Sequence, residues 1–189
     1  MLKQKIVEVK EVKTMLKLTE DKVDNFNKEG YIHLKNVIPS ELLVKARSLA
    51  IELKHQYKSR VGEPRHNGSG NFWNGLELAS TLNPNLWECY TADFMFEIAS
   101  KFLGSKPYLF NDQVVVKLPK EDFSFEPHYD DQFGPEIPGL KTINCSWILT
   151  NMPEETGPLW CQDSLGHYEM LTAKAGDIVI IDGQTLHYS

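Results

Sequence analysis

The apolar residues of this chain change their spacing around Pro107, and nothing else in the sequence constrains the fold as much. Before it they recur three and four residues apart, the repeat of helices that each pack one face. After it they gather into short runs bounded by Gly, Pro and Asp, the pattern of short strands. Residues 1–104 are therefore expected to be mainly helical and residues 105–189 mainly β. Together they predict one α+β domain, a cupin-like jelly-roll barrel buttressed by N-terminal helices. At 189 residues the chain is long enough to bury such a core without disulfides or structural metals.

In the helical part, Thr19 followed by Glu20 and Asp21 predicts a helix start, and Gly30 its end. Tyr31-Ile32-His33-Leu34 alternates as a short strand. Ser40 is the expected cap of a second helix with Leu42, Leu43, Ala46, Leu49, Ala50, Leu53 and Tyr57 on its packed face. A third stripe, Phe94, Met95, Ile98, Ala99, Phe102 and Leu103, follows Asn83-Pro84 and stops at Gly104. Residues 1–18 fit a strand or a helix equally. Residues 59–74, with four Gly or Pro and the pair Phe72-Trp73, read as a long loop, either a lid over a site or a mobile surface segment. Strands are expected within 108–118 (one or two), 142–150, 159–162, 168–172 and 177–182.

Charge and cysteine content exclude several function classes. The net charge of −6 offers no basic field for nucleic acid or an anionic membrane surface. Cys89, Cys145 and Cys161 include no Cys-x-x-Cys pair and form no disulfide framework, which fits a reducing compartment. The start, Met1-Leu2-Lys3-Gln4-Lys5, does not lead into a signal-peptide core, and no stretch of about 18 apolar residues occurs. A cytoplasmic protein with a small-molecule partner is expected, of open oligomeric state.

The chemistry centres on Glu126-Pro127-His128-Tyr129-Asp130-Asp131. On an extended backbone, side chains two residues apart share a face, so His128 and Asp130 can grip one ion. Asp131 is a rival carboxylate that alternation turns the other way. A further histidine, His187, follows the run Ile178-Val179-Ile180-Ile181-Asp182 at the end of the last readable strand. Two imidazoles and one carboxylate leave positions open on a metal, the arrangement that suits non-haem Fe(II) and oxygen chemistry. His33, His55, His66 and His167 have no carboxylate two residues further on in a strand.

These motifs resemble the phytanoyl-CoA dioxygenase family of Fe(II)- and 2-oxoglutarate-dependent oxygenases. The likeness begins at Phe26-Asn27-Lys28-Glu29-Gly30-Tyr31-Ile32 and runs to the C-terminus. It includes His128-x-Asp130 with a distal His187, the turn Thr156-Gly157-Pro158-Leu159 to Ser164-Leu165-Gly166-His167, and Ala175-Gly176-Asp177. The resemblance implies a double-stranded β-helix in which His128, Asp130 and His187 hold Fe(II). It also implies that Trp147 lines the 2-oxoglutarate pocket, unless it is a core aromatic, that Ser189 binds the cosubstrate carboxylate, and that Gln113 lies over the cosubstrate. The family carries an arginine about ten residues past the distal histidine; the sequence ends at Ser189, so a chain lacking its last strand or strands is expected.

The activity implied is hydroxylation of a small organic substrate with O2 and 2-oxoglutarate, releasing succinate and CO2. Two alternatives stand beside it: a non-oxidative, cupin-like protein that binds metal or a small molecule, and an inactive fragment.

Overall fold

The computed structural model describes residues 18–57, 75–117, 125–134 and 137–189. In chain order the helices are α1 (Glu20–Glu29), α2 (Ser40–Gln56), α3 (Ala79–Leu82), α4 (Trp87–Tyr90) and α5 (Asp93–Leu103). The strands are β1 (Tyr31–Leu34), β2 (Gly75–Glu77), β3 (Gln113–Val115), β4 (Ile143–Trp147), β5 (Leu159–Gln162), β6 (Tyr168–Leu171), β7 (Ile178–Asp182) and β8 (His187–Tyr188).

β7 lies at the centre, antiparallel to β1 on one side and to β4 on the other. Its four apolar residues run without a polar break because both of its faces are covered. Ile178 and Ile180 face the helices, packed with Phe26 of α1 and Phe94, Ile98 and Phe102 of α5. Val179 and Ile181 face a second antiparallel sheet of order β6-β5-β8, meeting Cys161 and Leu171. All four are at most 1% exposed, and fully burying such a side chain contributes about 1.5–3 kcal/mol. The layers are therefore helices, the sheet β1-β7-β4, and the sheet β6-β5-β8. Tyr31 of β1 donates its hydroxyl to the Glu169 carboxylate of β6 and so joins the two sheets along one edge.

The helix boundaries follow the sequence closely. Thr19 takes the extended backbone of a cap, Glu20 and Asp21 occupy the first turn, and Gly30 closes α1 at φ 80°. Glycine is required there twice over, by that left-handed backbone and by the Thr185 side chain, which a Cβ would strike. In α2 the cap position falls to Pro39 rather than Ser40, which is already helical; Ala46, Leu49 and Leu53 are its buried residues. The stripe ending at Gly104 is α5, but the approach to it is broken. A 3-10 turn (Pro84–Leu86) and α4 precede it, with Asn83 accepting from the Asn85 amide at 3.2 Å.

The β part is shorter than its composition predicts. Of the described residues 108–117, Gln113–Val115 form a strand, paired antiparallel with β2, while Tyr108 and Phe110 are exposed. The long loop expected at 59–74, lid or surface segment, and the first seventeen residues lie outside the described residues. Among the described residues no helix is long and apolar enough to cross a membrane.

Candidate metal centre

Two backbone features bring the predicted donors together. His128 and His187 exchange both of their backbone hydrogen bonds at 3.0 Å, as directly opposed antiparallel residues do. Their side chains therefore share a face, with ring centroids 4.3 Å apart. The chain leaves extended geometry after Tyr129 and enters a 3-10 turn, Asp130–Phe133. That turn is pinned by the Asp131 amide on the Gly183 carbonyl at 3.0 Å and by the Thr142 hydroxyl on the Asp131 carboxylate. Any side chain at position 183 would collide with both Thr142 and Asp131, so Gly183 permits the approach.

Asp130 consequently reaches back over the imidazoles. Its Oδ1 lies 3.8 Å from His128 Nε2 and 3.7 Å from His187 Nε2. Two donors bonded to one ion at about 2.1 Å each can be at most about 4.2 Å apart, so both contacts fit a shared ion. Among the described residues this is the group of three potential donors, all within 4.8 Å of one another.

The two imidazoles are oriented in the same way. His128 Nδ1 donates to the Glu126 carbonyl at 2.7 Å and His187 Nδ1 donates to the Thr185 carbonyl at 2.9 Å. A carbonyl can only accept, so each ring carries its proton on Nδ1 and turns a free Nε2 lone pair toward Asp130. Burial holds the His187 imidazole below its ordinary pKa, against the opposing pull of Asp130, which favours the neutral ring a metal needs. The Asp130 side chain is 28% exposed and that of His187 6%, so the centre opens on the carboxylate side.

Asp130 Oδ2, turned away from the imidazoles, accepts from Asn144 Nδ2 at 2.9 Å, and Ser146 Oγ donates to Asn144 Oδ1 at 2.9 Å. Neither residue was expected at the site. The signal was the alternation Ile143-Asn144-Cys145-Ser146-Trp147, whose polar positions belong on the face away from the helices. Cys161, paired directly with His187, is fully buried, and burial together with Glu169 and Asp130 pushes its thiol up to about 12. At neutral pH it is therefore a thiol in the metal-free chain.

The remaining predicted residues are placed as follows. Ser189 lies two residues beyond His187 and exchanges backbone hydrogen bonds with Phe125, so alternation puts its side chain on the His187 face. Gln113 is exposed on β3, in the two-stranded β2–β3 sheet rather than in the β6-β5-β8 sheet that carries His187. Trp147 was expected either to line the cosubstrate pocket or to be a core aromatic. Its indole donates to Met95 Sδ at 3.0 Å and packs 5.5 Å from the Phe94 ring, on the face of β4 opposite Asn144, so it is a core aromatic of the helix side. Asp131 is taken up by Thr142, and His167 is exposed beside Asp163.

The chain was compared with known proteins. The family model for phytanoyl-CoA dioxygenase (PhyH) matches residues 26–162. No curated protein matches. Among solved structures the chain is similar to the non-haem alpha ketoglutarate dependent carbocyclase SnoK from nogalamycin biosynthesis, at 19% identity and TM-score 0.78, covering 92% of this chain and 78% of that one. It is also similar to the epimerase SnoN in complex with Fe3+, alpha ketoglutarate and nogalamycin RO, at 17% identity and TM-score 0.74, covering 89% and 75%. A third is EctD from S. alaskensis with 2-oxoglutarate and 5-hydroxyectoine, at 14% identity and TM-score 0.76, covering 90% and 70%. At such identities the likeness is one of fold, an α+β fold with antiparallel sheets. With the family model spanning most of its length, the chain belongs to the phytanoyl-CoA dioxygenase family, whose members are Fe(II)- and 2-oxoglutarate-dependent oxygenases.

Proposed function

We propose that this chain is an Fe(II)- and 2-oxoglutarate-dependent oxygenase that hydroxylates a small organic substrate, with His128, Asp130 and His187 as the iron ligands. The observation that carries the reading is the convergence of these donors with both Nδ1 atoms already committed to carbonyls. Two nitrogens and one carboxylate oxygen are the donor set that suits Fe(II) while leaving positions for cosubstrate and O2. SnoN and EctD, which share the fold, were crystallised with iron or 2-oxoglutarate.

Iron with 2-oxoglutarate, when bound, supplies the oxidising chemistry: O2 is consumed, 2-oxoglutarate becomes succinate and CO2, and one oxygen atom enters the substrate. The chain's own residues set where this happens. His128 and His187 offer neutral Nε2 atoms, and Asp130 supplies one negative charge, which offsets half the charge of a dication. A carboxylate at this position also occupies the place a halide would need, which favours hydroxylation. Ser189, two residues beyond His187, would donate its hydroxyl to a cosubstrate carboxylate. Gln113 is the more distant candidate for covering the cosubstrate. Cys161, directly opposite His187, belongs to the buried apolar cluster of Val179, Ile181 and Leu171, which keeps water from that side. We take the two facing sheets as a double-stranded β-helix.

Anaerobic addition of Fe(II) and 2-oxoglutarate to the purified chain tests this directly. A weak visible absorption band, followed in air by succinate release, is the expected result. Metal binding with neither band nor succinate would overturn the oxygenase and leave a cupin-like binding protein.

A further inference from the structure

We infer that Asn144, oriented by Ser146, is a positioning residue of the metal centre, holding the outer oxygen of Asp130 so that the carboxylate offers an ion a single oxygen. This rests on the ligand assignment proposed above and goes beyond it.

The direction of each hydrogen bond is fixed by chemistry. An ionised carboxylate can only accept, so the Asn144 group facing Asp130 Oδ2 at 2.9 Å is its NH2. The Ser146 hydroxyl, 2.9 Å from Asn144 Oδ1, donates to that oxygen and holds the amide in this orientation. Both residues stand on the inter-sheet face of β4, whose backbone is registered on β7 through Asn144↔Ile181 and Ser146↔Val179. The Asp130 backbone is anchored elsewhere, through the Asp131 amide on Gly183. Asp130 is thus fixed at both ends by separate parts of the fold, its main chain by the turn and its far oxygen by β4.

The need for such a hold follows from the carboxylate itself. The terminal torsion of aspartate is broad and twofold, so an untethered Asp130 can rotate and give an ion both oxygens. A second bound oxygen would take a position that cosubstrate or O2 requires. An asparagine amide on the interior side of a strand is costly unless bonded, and asparagine is a poor strand former. Its neighbours on the flanking strand β7, Val179 and Ile181, are fully apolar. Asn144 therefore sits where local preference opposes it, as residues kept for a site often do.

The test uses Co(II) as the probe, whose visible spectrum reports coordination number, with three variants of the whole chain: Asn144→Val, Ser146→Ala and His187→Ala. Asn144→Val is expected to weaken Co(II) binding by about 10- to 100-fold and to change the Co(II) spectrum. Ser146→Ala should change both in the same direction and by less. Thermal unfolding of the metal-free proteins separates this from a structural role, which would lower the transition and leave binding by the folded protein unchanged. If Asn144→Val does not fold, Ser146→Ala carries the decision. Wild-type affinity and spectrum in the folded variants overturn the inference while leaving the ligand assignment intact. A wild type that binds no Co(II), or His187→Ala binding as well as wild type, overturns the ligand assignment and the inference with it.

Discussion

Ile143, Cys145 and Trp147 of β4 meet the helices, whereas on the other face of the same strand Asn144 bonds to Asp130 and Ser146 to Asn144. The two layers on either side of the central sheet differ in the same sense. The helix-side layer is filled by large side chains, among them Phe26, Phe94, Ile98 and Phe102, with Phe26 and Phe102 in edge contact at 5.0 Å. The inter-sheet layer mixes Tyr31, Ile181 and Leu171 with the smaller Cys161, Ala173 and Val179, and its polar groups include His187, Asp130 and Asn144. Apolar burial on the helix side stabilises the fold, and the space left between the sheets holds polar groups whose partners are already chosen. Damage to the first layer should therefore appear as lost stability, and damage to the second as lost binding.

The largest effect on this contrast is expected from Phe102→Ala. It empties a position that is 1% exposed and should cost about 3–5 kcal/mol by urea unfolding, with Co(II) affinity of the remaining folded protein unchanged. His187→Ala should do the reverse. It should abolish measurable Fe(II) or Co(II) binding by calorimetry while the metal-free protein unfolds within about 1–2 kcal/mol of wild type. A His187 variant that lost stability as Phe102→Ala does would break the division of labour.

Asp177 tests whether a polar network can belong to the stabilising side. Burial alone would raise its pKa, but the amides of Lys174 and Asn36 and the His33 ring, at 2.8–2.9 Å, together outweigh burial and hold it below the ordinary value. A depressed carboxylate contributes stability that is present above its unfolded pKa of about 3.9 and is lost as pH falls through the folded value. Asp177→Asn should cost about 1.5–3 kcal/mol at neutral pH and flatten the acid limb of a stability-versus-pH curve.

The smallest effect is expected at Lys117. Its ammonium is bonded to the Gly157 carbonyl at 2.7 Å, and burial lowers its pKa to about 8. Between that value and the ordinary 10.5 the folded lysine is neutral while the unfolded one is charged, so wild-type stability should rise with pH across that window. Lys117→Met should remove the rise and leave stability near pH 7 equal or slightly higher, measured by thermal unfolding at pH 7 and pH 10.

His128, Asp130 and His187 were legible in the sequence because their residue types name their chemistry and because β7 announces itself by composition. The reason for their meeting was only half legible. Alternation placed Asp130 beside His128 on a strand, yet Asp130 opens a 3-10 turn, and its aim comes from Gly183 and Thr142, contacts distant in sequence. Trp147 shows the complementary limit. Periodicity says which residues of β4 share a face, but not which face a given set takes; Met95 and Phe94 decide that. The same ambiguity hid Asn144, whose role appears only when the turn from another segment arrives above it.

The paired histidines also tie occupancy of the centre to the hold of β8 on its neighbour. The amides of His128, His187 and Ser189 are bonded across this one seam, and an ion spanning it acts as a stitch. Ligand at a hundred times its dissociation constant adds about 2.7 kcal/mol to whatever opening it opposes. Hydrogen exchange at those three amides should slow markedly when metal is added, making the end of the chain a reporter of what the centre holds.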